Sequence, residues 1–186
     1  IKDINNRKLK LAFVSPDFRK HSVSYFFLPF LKEIDRRKYE IFLLSSVVDE
    51  DSITLTYRSL ADHFININSK TDLETSKIVK DAKIDIIFDL CGHTSGNRLG
   101  IFSYNPAPIS ISWIGFPGKT ANPNIDYFLV DRETNPEDDS KLIKLPASFL
   151  TFKGNELSKN KEKVDWQDCF VFGSFNNIRK ISDRVI

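Results

Sequence analysis

The sequence lacks several features that would place it in a special class of protein. Its 186 residues include no methionine and two cysteines, and no apolar run approaches the roughly 18 residues of a membrane span. The formal net charge is only +2, whereas nucleic-acid-binding domains normally carry a clustered basic face. We therefore expect neither a membrane protein nor a nucleic-acid-binding protein. With 41% hydrophobic and 28% charged residues, the composition is that of an ordinary globular domain.

The scarcity of cysteine restricts the chemistry further. Cys91 and Cys169 lie far apart in apolar, strand-like runs and match no metal-ligand or redox spacing. We expect buried free thiols, a cytoplasmic location and no metal site. The chain starts at Ile1 with no signal-peptide pattern, and its lack of methionine predicts that it is part of a longer protein.

Apolar strand-like runs alternate with segments of helical periodicity along most of the chain. The pattern predicts strands at residues 8–15, 39–46, 62–68, 84–90, 109–114 and 125–130, and helices at 23–34, 52–60, 72–81 and around 99–102. This alternation indicates βαβ units and a mostly parallel sheet, as in a Rossmann-like α/β domain.

The composition changes after residue 131. Residues 134–140 are polar, residues 158–165 are charged, and a new apolar run begins at Cys169. We predict a Rossmann-like N-terminal lobe over residues 1–150, a linker over 151–168, and the start of a second α/β lobe over 169–186.

Parallel α/β sheets bind ligands beyond the carboxyl ends of their strands, where loops lead into helices. Four predicted loops occupy that position, at residues 15–24, 90–98, 114–120 and 173–180. The candidate functional residues lie in these loops.

His21 lies in the first loop, immediately before a predicted helix. Amide groups at a helix N-terminus favour the neutral, hydrogen-bond-accepting form of an imidazole. That form suits a general base or an anchor for substrate. The alternative is that His21 only caps the helix or faces solvent.

The second loop contains Gly92, His93, Thr94 and Gly96. Its two glycines allow a close approach of the backbone to a ligand, and the hydroxyl groups between them supply hydrogen bonds. One histidine supplies too few ligands for a metal. The alternative is an ordinary glycine-rich turn.

The third loop contains Gly115, Phe116, Pro117 and Gly118, followed by lysine and threonine. It differs from a phosphate-binding P-loop because Trp113 occupies the position of the first required glycine, so we exclude nucleotide hydrolysis. The loop either lines a cleft or forms a plain surface turn.

The fourth loop places Asn177 and Lys180 between a strand and a helix. Amide and cationic groups in that position form a phosphate site in physical terms. The alternative for Lys180 is an ordinary surface lysine.

Taken together, these segments resemble the catalytic region of the O-linked GlcNAc transferase and SPINDLY family. The matching stretches run in the family's order across almost the whole chain. They are FVSPDF (13–18), HSVSYF (21–26), DIIFDL (85–90), GHT (92–94), GNRL (96–99), PAP (106–108), WIGFPG (113–118), and FGSFNN (172–177) with Lys180.

The resemblance implies a two-lobed, metal-independent, inverting transferase of the GT-B type, in which this chain supplies the first lobe and the opening strand of the second. It implies that His21 lies at the sugar–acceptor junction, and that Thr94 and the loop 115–118 line the sugar pocket. Asn177 and Lys180 would face the nucleotide diphosphate.

The implied activity is transfer of GlcNAc from UDP-GlcNAc to Ser or Thr of a protein or peptide acceptor, without a cofactor. Two alternatives stay open: fucose transfer from GDP-fucose, as in the SPINDLY branch, and a protein-interaction module without catalysis. The rest of the nucleotide-binding lobe and upstream tetratricopeptide repeats are expected partners, and the chain alone is expected to be inactive.

Overall fold

The computed structural model describes residues 7–116, 118–134 and 139–153, which belong to one compact unit, Ile1–Lys153. Strands and helices alternate in the described residues, as the sequence predicts. The strands are β1 (Leu9–Ser15), β2 (Tyr39–Ser45), β3 (His63–Asn66), β4 (Ile86–Asp89), β5 (Ile109–Ser112), β6 (Tyr127–Asp131) and β7 (Leu142–Leu145). The helices are α1 (Ser22–Glu33), α2 (Ser52–Leu60) and α3 (Asp72–Asp81), and a 3₁₀ helix covers Leu99–Tyr104. None of the helices in the described ranges has the length and apolar character needed to cross a bilayer.

The strands of the described residues form one parallel sheet in the order β3-β2-β1-β4-β5-β6-β7. From β1 the sheet grows in one direction through β2 and β3, and from β4 it grows in the other. The strand order therefore reverses between β1 and β4. In open α/β sheets the loops diverge at such a point and leave a crevice beyond the carboxyl ends of the strands.

Apolar side chains cover both faces of the sheet. On one face Phe13 of β1 packs against Phe27 of α1, with ring centroids 4.9 Å apart, and Tyr57 of α2 completes the layer. On the other face Ala12 of β1 packs in a cluster with Val79 of α3. Because both faces are buried, the central strands are almost continuously apolar, which explains why they are recognisable in the sequence.

Local capping groups set the starts of α2 and α3. The Asp51 side chain accepts hydrogen bonds from the amides of Ile53 and Thr54, and Thr71 forms a reciprocal capping box with Glu74. Capping of this kind satisfies amides that have no partner in the first turn. Both helices occupy the residues predicted for them.

One strand departs from the prediction. β7 (Leu142–Leu145) pairs in parallel with β6, although no strand is predicted between residues 131 and 168. It is a four-residue strand at the edge of the sheet, preceded by a polar loop. The second-lobe strand predicted at 169–175 lies outside the described residues, and so does most of the predicted linker.

Candidate active site

Three of the four predicted loops meet at the carboxyl edge of the sheet, where the strand order reverses. They enclose an open cavity of about 1260 Å³, bordered by His21 from the loop after β1, Thr94 from the loop after β4, and Gly115 from the loop after β5. We call it the rim cavity. It lies where the topology of the sheet leads a ligand site to be expected.

His21 both caps α1 and borders the rim cavity. Its Nδ1 accepts a hydrogen bond from the Val23 amide at 3.4 Å and lies 3.5 Å from Oδ2 of Asp17. The side chain is 38% exposed, so a substrate can reach the ring. The sequence leaves capping and ligand contact open as alternatives for His21. The structure allows both at once.

Three hydrogen bonds hold the loop that carries His21. The hydroxyl of Tyr57 donates to Oγ of Ser24 at 3.1 Å, and Ser24 Oγ in turn donates to the Arg19 carbonyl at 2.6 Å. Burial raises the pKa of Tyr57, so its hydroxyl stays protonated and can donate. The Lys20 amide donates to Oδ2 of Asp51, the residue that caps α2. These bonds tie the loop to a helix that starts about thirty residues later in the sequence.

Asp17 is a buried carboxylate in the same loop. Only 6% of the residue is exposed, and its own amide donates to Oγ of Ser15 at 3.0 Å. Burial raises the pKa of Asp17, whereas the nearby His21 and Arg19 oppose that rise. The carboxylate borders the rim cavity.

Asp89, at the end of β4, shapes the loop that carries Thr94. It is 1% exposed, and its Oδ1 accepts a hydrogen bond from the Cys91 amide at 3.1 Å. Its Oδ2 accepts from the Gly92 amide and from the Ser112 hydroxyl, each at 2.9 Å. Burial raises the pKa of Asp89, and these three donors oppose the rise. The carboxylate folds the loop back on itself and fastens it to β5.

Thr94 uses its hydroxyl within its own loop while its side chain faces the rim cavity. Oγ1 donates to the Cys91 carbonyl at 2.8 Å and lies 2.8 Å from Cys91 Sγ. Cys91 is a buried free thiol, as predicted, and burial raises its pKa to about 11. The neutral thiol therefore acts as a packing group and not as a nucleophile. Cys169 lies outside the described residues.

The loop after β5 packs directly on the loop after β4. A Cβ added to Gly115 would lie 2.3 Å from the carbonyl oxygen of Leu90 and 2.8 Å from Cα of Cys91. The preceding residue, Ile114, has a left-handed backbone with φ of 71°. A β-branched residue rarely adopts that conformation, and residues held in this way tend to cluster at functional sites.

A second close contact joins the same two loops. Gly92 has φ of 58°, and a Cβ there would lie 2.3 Å from Cβ of Phe116. The exposed His93 ring meets Phe116 edge to face, with centroids 5.4 Å apart. Among the described residues, Gly92, His93, Phe116 and Gly118 lie beside the rim cavity and do not border it.

The predicted site residues therefore fall into three groups. The structure brings His21, Thr94 and Gly115 together around one cavity, and it places Gly92, His93, Phe116 and Gly118 in the packed loops beside them. Pro117, Asn177 and Lys180 lie outside the described residues, so their roles stay predictions.

The rim cavity has a second wall that was not predicted from the sequence. The loops after β2 and β3 contribute Ser46, Asp49 and Lys70, and Arg98 lies beside them. The Arg98 guanidinium donates to Asp72 at 2.7 Å and to the Lys70 carbonyl at 2.8 Å, which joins this wall to the loop after β4. The rule that ligands bind at strand ends applies equally to β2 and β3 and would have identified these loops.

Comparison with known proteins identifies the family of the chain. Residues 2–153 match the model of glycosyl transferase family 41. The chain belongs to this family. The resemblance noted in the sequence is thereby confirmed.

Proteins from plants and from the animal Caenorhabditis elegans resemble the chain over more than 90% of its length. It is 34% identical to the rice (Oryza sativa subsp. japonica) protein named probable UDP-N-acetylglucosamine–peptide N-acetylglucosaminyltransferase SPINDLY, a match that covers 98% of the chain and 21% of that protein. It is 29% identical to the Arabidopsis thaliana protein of the same activity name called SEC, over 97% of the chain and 20% of that protein. The chain spans about a fifth of the length of these relatives.

A solved structure of the family supports the fold. The chain resembles an O-GlcNAc transferase from Thermobaculum terrenum, solved as a point mutant, with a TM-score of 0.71 and 30% sequence identity. The match covers 77% of this chain and 29% of that one. It confirms the expected α/β fold of a GT-B glycosyltransferase lobe.

Proposed function

We propose that the protein carrying this chain transfers GlcNAc from UDP-GlcNAc to Ser or Thr hydroxyl groups of proteins, with inversion at the anomeric carbon and without a metal ion. The observation that supports this most strongly is the rim cavity, where His21, Thr94 and Gly115 converge at the reversal point of a family-41 lobe. In this proposal the described residues form the acceptor-side wall and part of the sugar pocket.

The chemistry assigns a role to each group. The acceptor oxygen attacks the anomeric carbon on the face opposite to the diphosphate, and the carbon–oxygen bond to the diphosphate breaks with its electron pair leaving on the phosphate. The hydroxyl proton passes to His21 or to a donor phosphate. Lys180 and Asn177 stabilise the charge that develops on the diphosphate, while Thr94 and the loop 115–118 hold the sugar.

GDP-fucose is the second candidate donor. The chain is 34% identical to the rice relative named SPINDLY and 29% identical to the relative named SEC, which favours the SPINDLY branch. The name of each relative nevertheless specifies GlcNAc. The nucleobase would be recognised by the second lobe, so a donor assay has to decide between the two sugars.

The remaining partners follow from the same proposal. We infer a nucleotide sugar and a protein or peptide acceptor as substrates, with tetratricopeptide repeats upstream and a nucleotide-binding lobe downstream completing the enzyme in the cytoplasm. The length of the family relatives leaves room for both, since the chain spans 20–21% of the two plant proteins.

The test uses the full-length protein that carries this chain. It is incubated with labelled UDP-GlcNAc or GDP-fucose, with and without Ser/Thr-containing acceptor peptides, and incorporated label is measured. His21→Gln and Lys180→Ala should each lower kcat at least tenfold, because each removes a group proposed to act on the reacting atoms.

His63→Gln is the matched control for His21→Gln. His63 begins β3 at the amino edge of the sheet, and its Nε2 pairs with Oε1 of Glu40 at 2.8 Å. The His63→Gln variant should leave transfer unchanged. If only fucose is transferred, the donor is GDP-fucose and not UDP-GlcNAc. If neither sugar is transferred, the result favours an interaction module without catalysis.

A further inference from the structure

The contact between Asp17 and His21 has no assigned role in the proposed transfer. Nδ1 of His21 lies between two partners, the Val23 amide at 3.4 Å and Oδ2 of Asp17 at 3.5 Å. Both distances are at the long end for hydrogen bonds, and contacts of catalytic groups often tighten when substrate binds. The ring can therefore settle on either partner.

The two partners select different forms of the neutral imidazole. If Nδ1 accepts from Val23, the proton resides on Nε2, which then can only donate toward the rim cavity. If Nδ1 carries the proton and donates to Asp17, the lone pair of Nε2 is free to accept. Only the second form can take a proton from an acceptor hydroxyl. In the part of the chain that the structure describes, no hydrogen bond to Nε2 competes with a substrate.

Burial raises the pKa of Asp17, whereas the neighbouring His21 and Arg19 oppose that rise and so favour its ionised form. The titratable or charged groups that face it are Arg19 and His21 from its own loop, Tyr57 from α2 and Cys91 from the loop after β4. Burial raises the pKa values of Tyr57 and Cys91, the latter to about 11, so both stay neutral near pH 7. The groups that can offset the negative charge of Asp17 are therefore His21 and Arg19, whose Nη2 lies 3.7 Å from Oδ1 of Asp17.

We propose that Asp17 is a positioning residue that holds the proton on Nδ1 of His21 and so presents Nε2 as the proton acceptor of the rim cavity. The logic is that of a buried carboxylate orienting a catalytic histidine, in which an amide of the same shape stabilises the wrong tautomer. The expected effect of Asp17 on the transfer rate rests on the proposed transferase function. The expected effect of Asp17 on the imidazole of His21 does not.

The first experiment measures the imidazole without using activity. Deuterium exchange at C2 of each histidine is followed by mass spectrometry against pH in the full-length protein. Asp17→Asn removes the anionic partner of Nδ1, so the pH profile of exchange at His21 should differ between the variant and the wild type. His63 is the internal control, because its partner Glu40 is untouched and its profile should be the same in both proteins. Identical profiles for His21 overturn the proposal.

The second experiment measures transfer. Asp17→Asn should lower kcat at least tenfold and change KM for the donor less than about twofold, and Asp17→Glu should restore part of the rate because it restores the carboxylate. Asp85→Asn is the matched control, since Asp85 is 5% exposed and Asp17 is 6% exposed, and Asp85 lies at the far edge of the sheet. It should leave kcat unchanged.

The outcomes separate this inference from the proposed function. If the wild type transfers neither sugar, the proposed function fails, and the C2 exchange still decides whether Asp17 acts on His21. If the wild type transfers a sugar and Asp17→Asn matches its kcat, the positioning role is wrong while the transferase function stands.

Discussion

Buried aspartates at the two ends of the central strands β1 and β4 have pKa values shifted in opposite directions. At the amino edge Asp85 accepts from two nitrogens of Arg7, each at 2.6 Å, and from the Lys10 amide, and these partners lower its pKa. At the carboxyl edge burial raises the pKa values of Asp17 and Asp89. The first edge thus uses a carboxylate to stabilise the fold. At the second edge, burial makes the charged form of the carboxylates less favourable, and loops enclose a cavity there. Active sites commonly differ from the rest of a fold in this way.

Gly115→Ala should produce the largest effect and tests whether the carboxyl edge tolerates adjustment. The new Cβ would meet backbone atoms of Leu90 and Cys91, which cannot move without shifting β4, so we expect a loss of about 3 kcal/mol of local stability and most of the transfer rate. Hydrogen exchange of the β4 peptide in the full-length protein measures the first quantity.

Gly118→Ala is the control for this change. Its Cβ would lie 3.0 Å from Cε1 of Phe116, an atom of a ring that can turn aside, so the cost should stay below about 1 kcal/mol. Equal losses of stability in the two variants would show that the packing of Gly115 is not special.

Asp89→Asn should produce the next largest effect. One oxygen of Asp89 becomes an amide that cannot accept from the donors facing it, so we expect a loss of about 2 kcal/mol in the same exchange measurement, together with reduced transfer. A variant as stable and active as the wild type would contradict the role given to Asp89 in shaping the Thr94 loop.

Asp85→Asn should cost less, about 1 kcal/mol, because its partner Arg7 is 43% exposed and solvent weakens the pair. The lowered pKa of Asp85 contributes stability above its ordinary value of 3.8, and this contribution is lost as pH falls through the lower folded value. The stability difference between wild type and Asp85→Asn should therefore shrink as pH falls from about 5 to about 3. A difference that grows over this range would reverse the comparison of the two edges.

Alkylation of Cys91 should show the smallest change. Its thiol is buried with a pKa of about 11, so iodoacetamide at about pH 8 should label the Cys91 peptide more than 100-fold more slowly in the native protein than in urea. Mass spectrometry of that peptide gives both rates. Rapid native labelling would mean that the loop after β4 opens readily.

The sequence predicts elements well where local groups determine them. Asp51 and Thr71 cap α2 and α3 with side chains that lie beside the helices they start, so the bounds of both helices were predictable. β7 was not, because its four residues include the charged Lys144 and follow a polar loop, so they show no strand pattern. The position of the candidate site followed from the rule on strand ends.

The contacts that give the site its chemistry could not be predicted in the same way. The approach of Asp17 to His21 depends on a loop held by Tyr57, a residue 33 positions after Ser24, its hydrogen-bond partner. The bond from Ser112 to Asp89 spans 23 positions. Such distances depend on tertiary packing, which single-sequence patterns do not contain.

Asp51 combines two duties in one carboxylate. Oδ1 accepts from the first amides of α2, while Oδ2 accepts from the Lys20 amide at 2.7 Å, next to His21. The start of α2 and the position of the loop that carries His21 therefore depend on the same side chain. Replacing Asp51 with serine, another good helix cap, would keep a cap on α2 and remove the hydrogen bond to the Lys20 amide, so a single substitution can separate the two duties.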